Sequence, residues 1–338
     1  MDTLTHALSG VLVLNAARGR VDRPRLLAVA VAAAFPDLDY LLILVDPLAF
    51  LNLHRGPTHS LVLLPLWAGL LSLPLAPLLG IRWRECFALC ALGLLVHIAG
   101  DWVTLYGTKL WYPLSDRAFA LRASFDVNPW IAVVVVLAVL LGHWWRARAS
   151  AFLGLGLIAL LLSAQNWLGS QATRLAVQRV DEQGNGSARV LALPQPLSPF
   201  HWALVVGRGD GYEMAYVDLL GLWSGDASLR PWVARMFAAY RAPGDLEWRL
   251  YPAPSQTPLS AEAWAQPRFA GFRRFAELPV LLGVDPSPQE CCVWFTDLRH
   301  LLPTLPASFR YGLCKTGDGT PWRPYRLRYF TAGVRQAL

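Results

Sequence analysis

Long, uninterrupted apolar runs in the first half of the chain restrict its fold more than any other feature. Two of these runs are "WIAVVVVLAVLLG" (130–142) and "FLGLGLIALLLS" (152–163). A helix needs about 20 apolar residues to cross about 30 Å of hydrocarbon. After about residue 170 the apolar runs are short and are interrupted by Pro, Gly and Arg. We therefore predict a transmembrane helical domain over residues 1–170 and a soluble, β-rich extracytoplasmic domain over residues 171–338.

Six segments are candidate membrane spans, and they lie at about 4–17, 25–45, 60–80, 86–106, 129–146 and 150–169. The first is short enough to be a half-helix. If the six alternate, the connections "RGRVDRPR" (18–25), "RWRE" (82–85) and "RARA" (146–149) share one side of the membrane. The positive-inside rule makes that side cytoplasmic. Residues 46–60, the loop 107–128 and everything after residue 169 are then expected outside.

The charge pattern excludes some partners and some export routes. The net charge of +7 comes without a Lys/Arg run or a basic helix, so no nucleic-acid partner is expected. The first residues, "MDTLTHALSG", lack the basic stretch of a cleavable signal peptide. Export of the second domain is therefore expected to depend on the membrane segments themselves.

The second domain carries the signals of short strands. "RVLALP" (189–194), "HWALVVGR" (201–208) and "YEMAYVDL" (212–219) are strand-length runs separated by turn residues. "RPWVARMFAAYR" (230–241) has the pattern of an amphipathic helix. An oxidising compartment would allow a disulfide in this domain. The sequence leaves open whether Cys314 pairs with Cys291 or with Cys292.

The membrane domain holds an unusual set of ionisable residues, and such residues in a span indicate a functional site. All of them carry an imidazole or a carboxylate, which are ligands suited to zinc, manganese or iron. We predict a site for a divalent metal, with zinc as the first choice and manganese or iron as alternatives. The predicted ligands are His6, Asp37, Asp39, His54, His59, His97 and Asp101.

Spacing suggests how these residues meet. In "HIAGD", His97 and Asp101 are four residues apart and share one face of a helix. They are either two ligands, a ligand and its partner, or a hydrogen-bonded pair that only joins helices. In "FPDLD", Asp37 and Asp39 would point to opposite sides of a regular helix. Either Pro36 unwinds the segment, or one Asp binds metal while the other orients a histidine.

The stretch "HRGPTHSL" (54–61) combines two histidines with an arginine at a turn. A helix would splay His54 and His59, whereas a turn at Gly56-Pro57 can direct both to one point. Arg55 would then face an anionic group through its planar fork. The alternative is a polar outer loop. His6 alone would be structural, and it counts as a ligand because of the other six residues.

Four of these blocks resemble one known family. "DTLTHALSG", "FPDLDYL", "HRGPTHSL" and "HIAGDWVTLYGTKLWYP" are similar to the signature blocks of the YdjM-type inner-membrane metal-dependent hydrolases, also described as LexA-regulated proteins. The resemblance covers about residues 1–115. It implies a bacterial inner-membrane protein with several spans and a hydrolase activity. More distantly, the His and Asp blocks are similar to zinc-dependent phospholipase C and related nucleases.

The predicted function is metal-dependent hydrolysis of a phosphoester or another amphiphilic, lipid-linked substrate at the outer membrane face. A bound metal would activate water, Asp37 or Asp39 would accept its proton, and Arg55 would stabilise developing charge. One alternative is a transporter for divalent metal or protons, which would need polar residues continuing to the cytoplasmic side. The other is an envelope-stress scaffold in which the His and Asp residues form a structural network.

Overall fold

Two compact units make up the chain. The structure, a computed structural model, describes residues 1–184, 188–221, 237–286, 290–303, 305–317, 320–329, 331 and 333–338. The first unit contains Met1–Leu42 and Leu53–Trp167, and the second contains Ile43–Asn52 and Leu168–Leu338. The segment 43–52, which the sequence placed in the membrane domain, thus groups with the second unit.

The first unit is helical. Asp2 caps its first helix by accepting a hydrogen bond from the backbone N–H of Thr5 (2.9 Å), and Asn128 caps another in the same way. A 3-10 helix at Phe35–Leu44 continues the helix Arg23–Ala34 at the point where Pro36 interrupts the α-helical hydrogen bonds. The helices are α1 (Thr3–Arg18), α2 (Arg23–Ala34), α4 (Leu64–Leu79), α5 (Trp83–Trp102), α6 (Pro129–Trp144) and α7 (Ala147–Glu182), with a 3-10 turn at Pro57–His59.

Small residues let α1, α2 and α5 approach closely. A Cβ atom added at Gly93 of α5 would lie 2.5 Å from the carbonyl oxygen of Val29 in α2. One added at Gly10 of α1 would lie 3.0 Å from Cβ of Ala33. Such contacts are typical of helices packed in membranes. They bring the backbone of α2 directly against the face of α5.

The number of helices that can span a membrane is lower than the six expected. Within the described residues, Arg23–Leu44, Trp83–Trp102 and Ala147–Glu182 are long and apolar enough. Pro47–His59 with Leu64–Leu79 gives a fourth if the pair, bent by 78°, counts as one broken span. The expected spans 4–17 and 129–146 form helices of 16 residues. Sixteen residues extend about 24 Å, which is less than the roughly 30 Å of hydrocarbon.

The three arginine-rich connections nonetheless lie near one another at one end of the first unit. Hydrogen bonds join the segments 16–25, 82–85 and 143–148 there. The contacts are Arg25 Nε to Glu85 Oε1 (2.8 Å), Arg20 Nη2 to the carbonyl oxygen of His143 (2.7 Å) and Arg148 Nε to that of Ala16 (3.1 Å).

The second unit is rich in β-structure, as predicted, and contains two antiparallel sheets. Within each sheet, every strand pairs with the next along the chain. The first sheet contains β1 (Val190–Pro194), β2 (His201–Arg208), β3 (Gly211–Asp218) and β4 (Arg249–Pro252). The second contains β5 (Pro279–Pro286), β6 (Cys291–Asp297), β7 (Tyr311–Lys315), β8 (Arg323–Leu327) and β9 (Arg335–Ala337). The unit also has α3 (Pro47–Leu53), α8 (Pro258–Ala265), α9 (Ala270–Phe275) and 3-10 turns at Pro267–Phe269 and Leu298–His300.

Two predictions for this unit have definite outcomes. The three strands expected from the sequence are present as β1, β2 and β3, with bounds within one residue of those expected. A disulfide joins Cys292 to Cys314, which face each other across β6 and β7, and Cys291 is a free thiol. The helix predicted over 230–241 lies largely outside the described residues, because 222–236 are not among them.

Candidate metal centre

Four separate segments bring the seven predicted ligands into one network. They are α1, the 3-10 helix 35–44, the turn 54–59 and the last turns of α5. Asp37 is the most accessible of the seven, and the other six are buried. The end of α5 that carries His97 and Asp101 is opposite to the end that carries Glu85 and the arginine contacts.

The packing of α2 against α5 fixes the tautomer of a neutral His97 ring. Nδ1 of His97 lies 2.6 Å from the carbonyl oxygen of Ala33. A carbonyl oxygen only accepts hydrogen bonds, so Nδ1 must donate. A neutral imidazole has one N–H, and Nε2 of His97 therefore presents a lone pair.

A second chain of hydrogen bonds fixes His59 in the same way. The hydroxyl of Thr58 donates its proton to Oδ2 of Asp39 (3.0 Å). Nδ1 of His59, 2.9 Å from the same hydroxyl oxygen, must then be the donor in that contact. This assignment follows from the hydrogen-bond network. The Nε2 atom of a neutral His59 consequently also presents a lone pair.

The two lone pairs converge. Nε2 of His59 and Nε2 of His97 are 3.0 Å apart, and two neutral rings in these tautomers would repel. Two nitrogens bound to one zinc ion at about 2.0–2.1 Å are about 3.3 Å apart at the tetrahedral angle, a few tenths of an ångström more than here. Oδ2 of Asp101 lies 3.1 Å from the first nitrogen and 3.5 Å from the second. This donor set fits a divalent metal.

Two further donors lie beside this pair. Oδ1 of Asp37 is 3.7 Å from Nε2 of His97. Nε2 of His6 is 3.1 Å from Oδ1 of Asp101, and its ring stacks on that of His97 with centroids 3.8 Å apart. One ligand atom from each of these four residues, His6, Asp37, His97 and Asp101, lies within 4.8 Å of the other three. The four could together hold a metal ion.

Asp39 has a different environment from Asp37. A 3-10 helix has three residues per turn, so these two residues are about a third of a turn apart and need not point to opposite sides. Oδ1 of Asp39 lies 2.7 Å from Nδ1 of His54, and Oδ2 accepts the backbone N–H of Arg55 (3.1 Å) and the hydroxyl of Thr58. Asp39 thus orients two histidines, His54 directly and His59 through Thr58.

Arg55 contacts the cluster with its guanidinium. Its Nε lies 3.1 Å from Oδ2 of Asp101, and Nη1 donates to the hydroxyl of Thr104 (2.7 Å). Nη2 lies 3.5 Å from Oδ1 of Asp126, and the group lies over the ring of Tyr106. The backbone of Arg55 is left-handed (φ 55°), which is uncommon outside glycine.

Three residues of this environment were missed from the sequence. Thr104 and Tyr106 follow Asp101 directly in "HIAGDWVTLYG", so their proximity could have indicated a role. Asp126 lies 25 positions after Asp101, in a loop where acidic residues are common, and its sequence gives no comparable signal.

Carboxylates outnumber positive groups among the residues around the predicted ligands. Three carboxylates, those of Asp37, Asp39 and Asp101, lie in the cluster with one guanidinium, that of Arg55, which contacts Asp101. The excess of negative charge remains when the α-amino group of Met1, 2.6 Å from Oδ1 of Asp101, is counted. Uncompensated charge in a buried site is costly. A divalent cation would offset it.

Comparison with known proteins identifies the family of the helical unit. The family model of the YdjM inner membrane protein matches residues 1–172, just over half of the chain. The chain belongs to the YdjM family. Neither the comparison with curated proteins nor that with solved structures gave a match. The YdjM match contains all seven predicted ligands and ends before β1. Together with the apolar helices, it makes the chain a membrane protein.

Proposed function

We propose that the chain is a membrane-bound, metal-dependent hydrolase. Its substrate is a phosphoester or another amphiphilic, lipid-linked molecule at the outer face of the inner membrane. The observation that carries this proposal is the 3.0 Å approach of the Nε2 atoms of His59 and His97. Because both rings donate from Nδ1, a cation between the two nitrogens resolves their repulsion.

The metal would be held by His59, His97 and Asp101, with His6 beside them. Three protein ligands with a further open position are typical of catalytic zinc sites, and the nitrogen and oxygen donors also suit manganese or iron. The bound ion supplies Lewis-acid chemistry, since it activates water and polarises the scissile group. Asp39 holds His54 and His59 in position.

The roles of the remaining groups follow from their contacts. Asp37 is the least buried of the three carboxylates among the predicted ligands, and its Oδ2 accepts a hydrogen bond from the hydroxyl of Thr3 (2.6 Å). We assign to Asp37 the acceptance of the proton from the attacking water. Asp39 already has three hydrogen-bond donors, which suits a positioning role better. Arg55 supplies the positive charge next to the reacting group.

Two features support a location of the site at the outer interface. The arginine contacts gather at one end of the first unit, which the positive-inside rule makes cytoplasmic, and the cluster lies at the opposite end of α5. Exposed Trp83 and Trp102 mark the two ends of that helix, about 28 Å apart at 1.5 Å per residue. Tryptophan is enriched at both membrane interfaces.

With the same orientation, we propose a multi-pass arrangement in which the second unit lies outside the cytoplasm. The disulfide between Cys292 and Cys314 supports this proposal, because disulfides persist in oxidising compartments. An amphiphilic substrate is supported by Leu38 and Leu41, whose exposed apolar side chains come from the same 3-10 helix as Asp37 and Asp39.

The distribution of buried charge favours a hydrolase over a transporter. Residues 1–167 are described without a gap, and all their buried Asp, Glu, His, Lys and Arg residues belong to the one cluster. A path for metal or protons would need such groups toward the arginine end as well. A purely structural network remains the second alternative, and it predicts protein that holds no metal.

Elemental analysis of the purified, detergent-solubilised protein tests the proposal. Wild-type protein from metal-replete cells should contain a divalent metal, and His59→Ala or His97→Ala should each remove most of it. His143→Ala is the matched control, since His143 is exposed in the last turn of α6 and lies outside the cluster. Metal-free wild-type protein, or metal contents unchanged in folded His59→Ala and His97→Ala, would refute the site.

Hydrolysis can be tested on the same preparations. A short-chain phospholipid and a water-soluble phosphoester, both in detergent micelles, separate an amphiphilic from a soluble substrate. Activity should disappear with a chelator and return with zinc, and it should be absent in His97→Ala but present in His143→Ala. A metal-loaded protein that cleaves neither compound would contradict the assigned phosphoester chemistry.

A further inference from the structure

The three contacts of the Arg55 guanidinium are not equivalent. Those to Asp101 and Thr104 are 3.1 Å and 2.7 Å long and involve residues that are fully buried. The contact from Nη2 to Asp126 is 3.5 Å long, and the Asp126 side chain is 21% exposed. Charge-assisted hydrogen bonds are normally about 2.7–2.9 Å long. The guanidinium is thus hydrogen-bonded to Thr104 on its inner side and forms ion pairs with Asp101 and Asp126, of which the one with Asp126 is the longer.

We propose that Nη2 of Arg55 is the oxyanion-binding position of this centre, and that the Asp126 carboxylate occupies it as an internal stand-in. A phosphate-like oxygen of the substrate replaces that carboxylate. The ligand class is a phosphate-like oxyanion, because an N–H group of a guanidinium makes a strong, charge-assisted hydrogen bond to such an oxygen. This inference rests on the proposed function in one respect, which is that the bound anion is the group that is hydrolysed.

The inner contacts prepare Arg55 for this role. The hydroxyl of Thr104 accepts from Nη1 and donates to the backbone carbonyl of Asp101, while the ring of Tyr106 lies 5.0 Å from the guanidinium carbon. These contacts keep the guanidinium in place when Asp126 leaves. A group that is already oriented binds its ligand at a lower entropic cost.

Asp126 can leave without becoming an unpaired buried charge. It is partly exposed, and its Oδ1 also accepts a hydrogen bond from the backbone N–H of Tyr106 (3.2 Å). Its negative charge opposes an incoming anion, which must replace it. Removal of the charge should therefore strengthen anion binding. If Asp126 only positioned Arg55, removal would weaken anion binding, so the two roles predict opposite signs.

Calorimetry or phosphorus NMR can measure the binding of inorganic phosphate to the detergent-solubilised full chain. This measurement tests whether removal of the Asp126 charge strengthens or weakens anion binding. Asp126→Asn should bind phosphate about tenfold more tightly than wild type, a factor that corresponds to 1.4 kcal/mol. Asp116→Asn is the matched control, because it removes the same charge from the same loop. Asp116 is 83% exposed and lies 3.6 Å from Lys109, so its substitution should leave phosphate affinity unchanged.

A second pair of variants ties the effect to Arg55. Arg55→Lys keeps the charge and loses the fork, so it should weaken phosphate binding, and Asp126→Asn should gain much less in that background. Asp126→Ala replaces Asp126→Asn if the latter does not fold. Unchanged or weaker phosphate binding in folded Asp126→Asn or Asp126→Ala overturns the inference.

Metal content, measured in the same samples, keeps this result separate from the proposed function. Metal-free wild-type protein would refute the metal-dependent hydrolase. The sign of the Asp126→Asn effect, measured with and without added zinc, would still decide the oxyanion position. Metal-loaded protein with the wrong sign would refute only the oxyanion position.

Discussion

Replacement of Gly93 by alanine should disturb the candidate metal centre, although Gly93 is not itself one of its residues. The new Cβ would lie 2.5 Å from the carbonyl oxygen of Val29 and 2.9 Å from Cβ of Ala32. Carbon atoms in contact are normally about 3.5–4.0 Å apart, so α2 and α5 must separate by about 1 Å. That movement would stretch the contact between Nδ1 of His97 and the carbonyl oxygen of Ala33, now 2.6 Å, beyond the roughly 3.2 Å limit of a hydrogen bond.

The expected change in the free energy of unfolding is the sum of two destabilising contributions and one stabilising contribution. Overpacking of a core costs about 1–3 kcal/mol, and loss of one hydrogen bond costs about 1 kcal/mol. Alanine in place of glycine within a helix stabilises the helix by about 1 kcal/mol. Gly93→Ala should therefore lower the free energy of unfolding by about 1–3 kcal/mol. It should also weaken metal binding about 10- to 100-fold, as is usual when a ligating histidine loses its hydrogen-bond partner.

Thermal unfolding in detergent and metal titration measure the two effects. Gly156→Ala is the matched control, because an added Cβ at Gly156 of α7 meets no atom within 4 Å. That variant should be as stable as wild type or slightly more stable, with unchanged metal affinity. If Gly93→Ala behaved like Gly156→Ala in both assays, the spacing of α2 and α5 would not control His97.

Two further predictions concern the second unit. A reporter that is active only in the periplasm, fused after Leu338, should be active, and a silent periplasmic reporter with an active cytoplasmic one would overturn the proposed orientation. His201, which is 1% exposed in β2 and stacked on Tyr240, titrates well below its ordinary range, because burial lowers its pKa from 6.5 to about 4. The unfolded chain takes up the proton first, so stability should fall as the pH drops from 6.5 toward 4. In unfolding experiments on the full chain, His201→Phe should reduce this loss, and parallel pH profiles of the two proteins would contradict the assignment.

The sequence predicted the membrane helices from composition, and where it failed the reason is local geometry. The expected span 60–80 begins as a helix only at Leu64, because the polar turn 54–59 precedes it and bends the chain. Hydropathy alone counted α1 and α6 as spans, although their 16 residues leave them short. The expected and observed numbers of spans differ because a hydropathy pattern does not define the length of each helix sharply.

For the candidate site, the sequence likewise predicted which residues take part but not their local geometry. All seven ligand-type residues were identifiable because ionisable groups are conspicuous among apolar residues. The separate environments of Asp37 and Asp39 depend on the 3-10 geometry, which the sequence left as one of two alternatives. The tautomers of His59 and His97 depend on contacts with Thr58 and Ala33, and these contacts exist only after the helices have packed.

Because Cys291 and Cys292 are adjacent, the cysteine that pairs with Cys314 depends on the register in which β6 and β7 are paired. Neighbouring residues of a strand point to opposite faces, so only Cys292 is directed at Cys314 when β6 and β7 pair as they do here. If β6 slipped by one residue, Cys291 would face Cys314, and each inward side chain of the strand would turn outward. Oxidation before the sheet had formed could therefore fix either alignment covalently. In a compartment where disulfides are exchanged, a bond between Cys291 and Cys314 would be broken and replaced by the bond between Cys292 and Cys314.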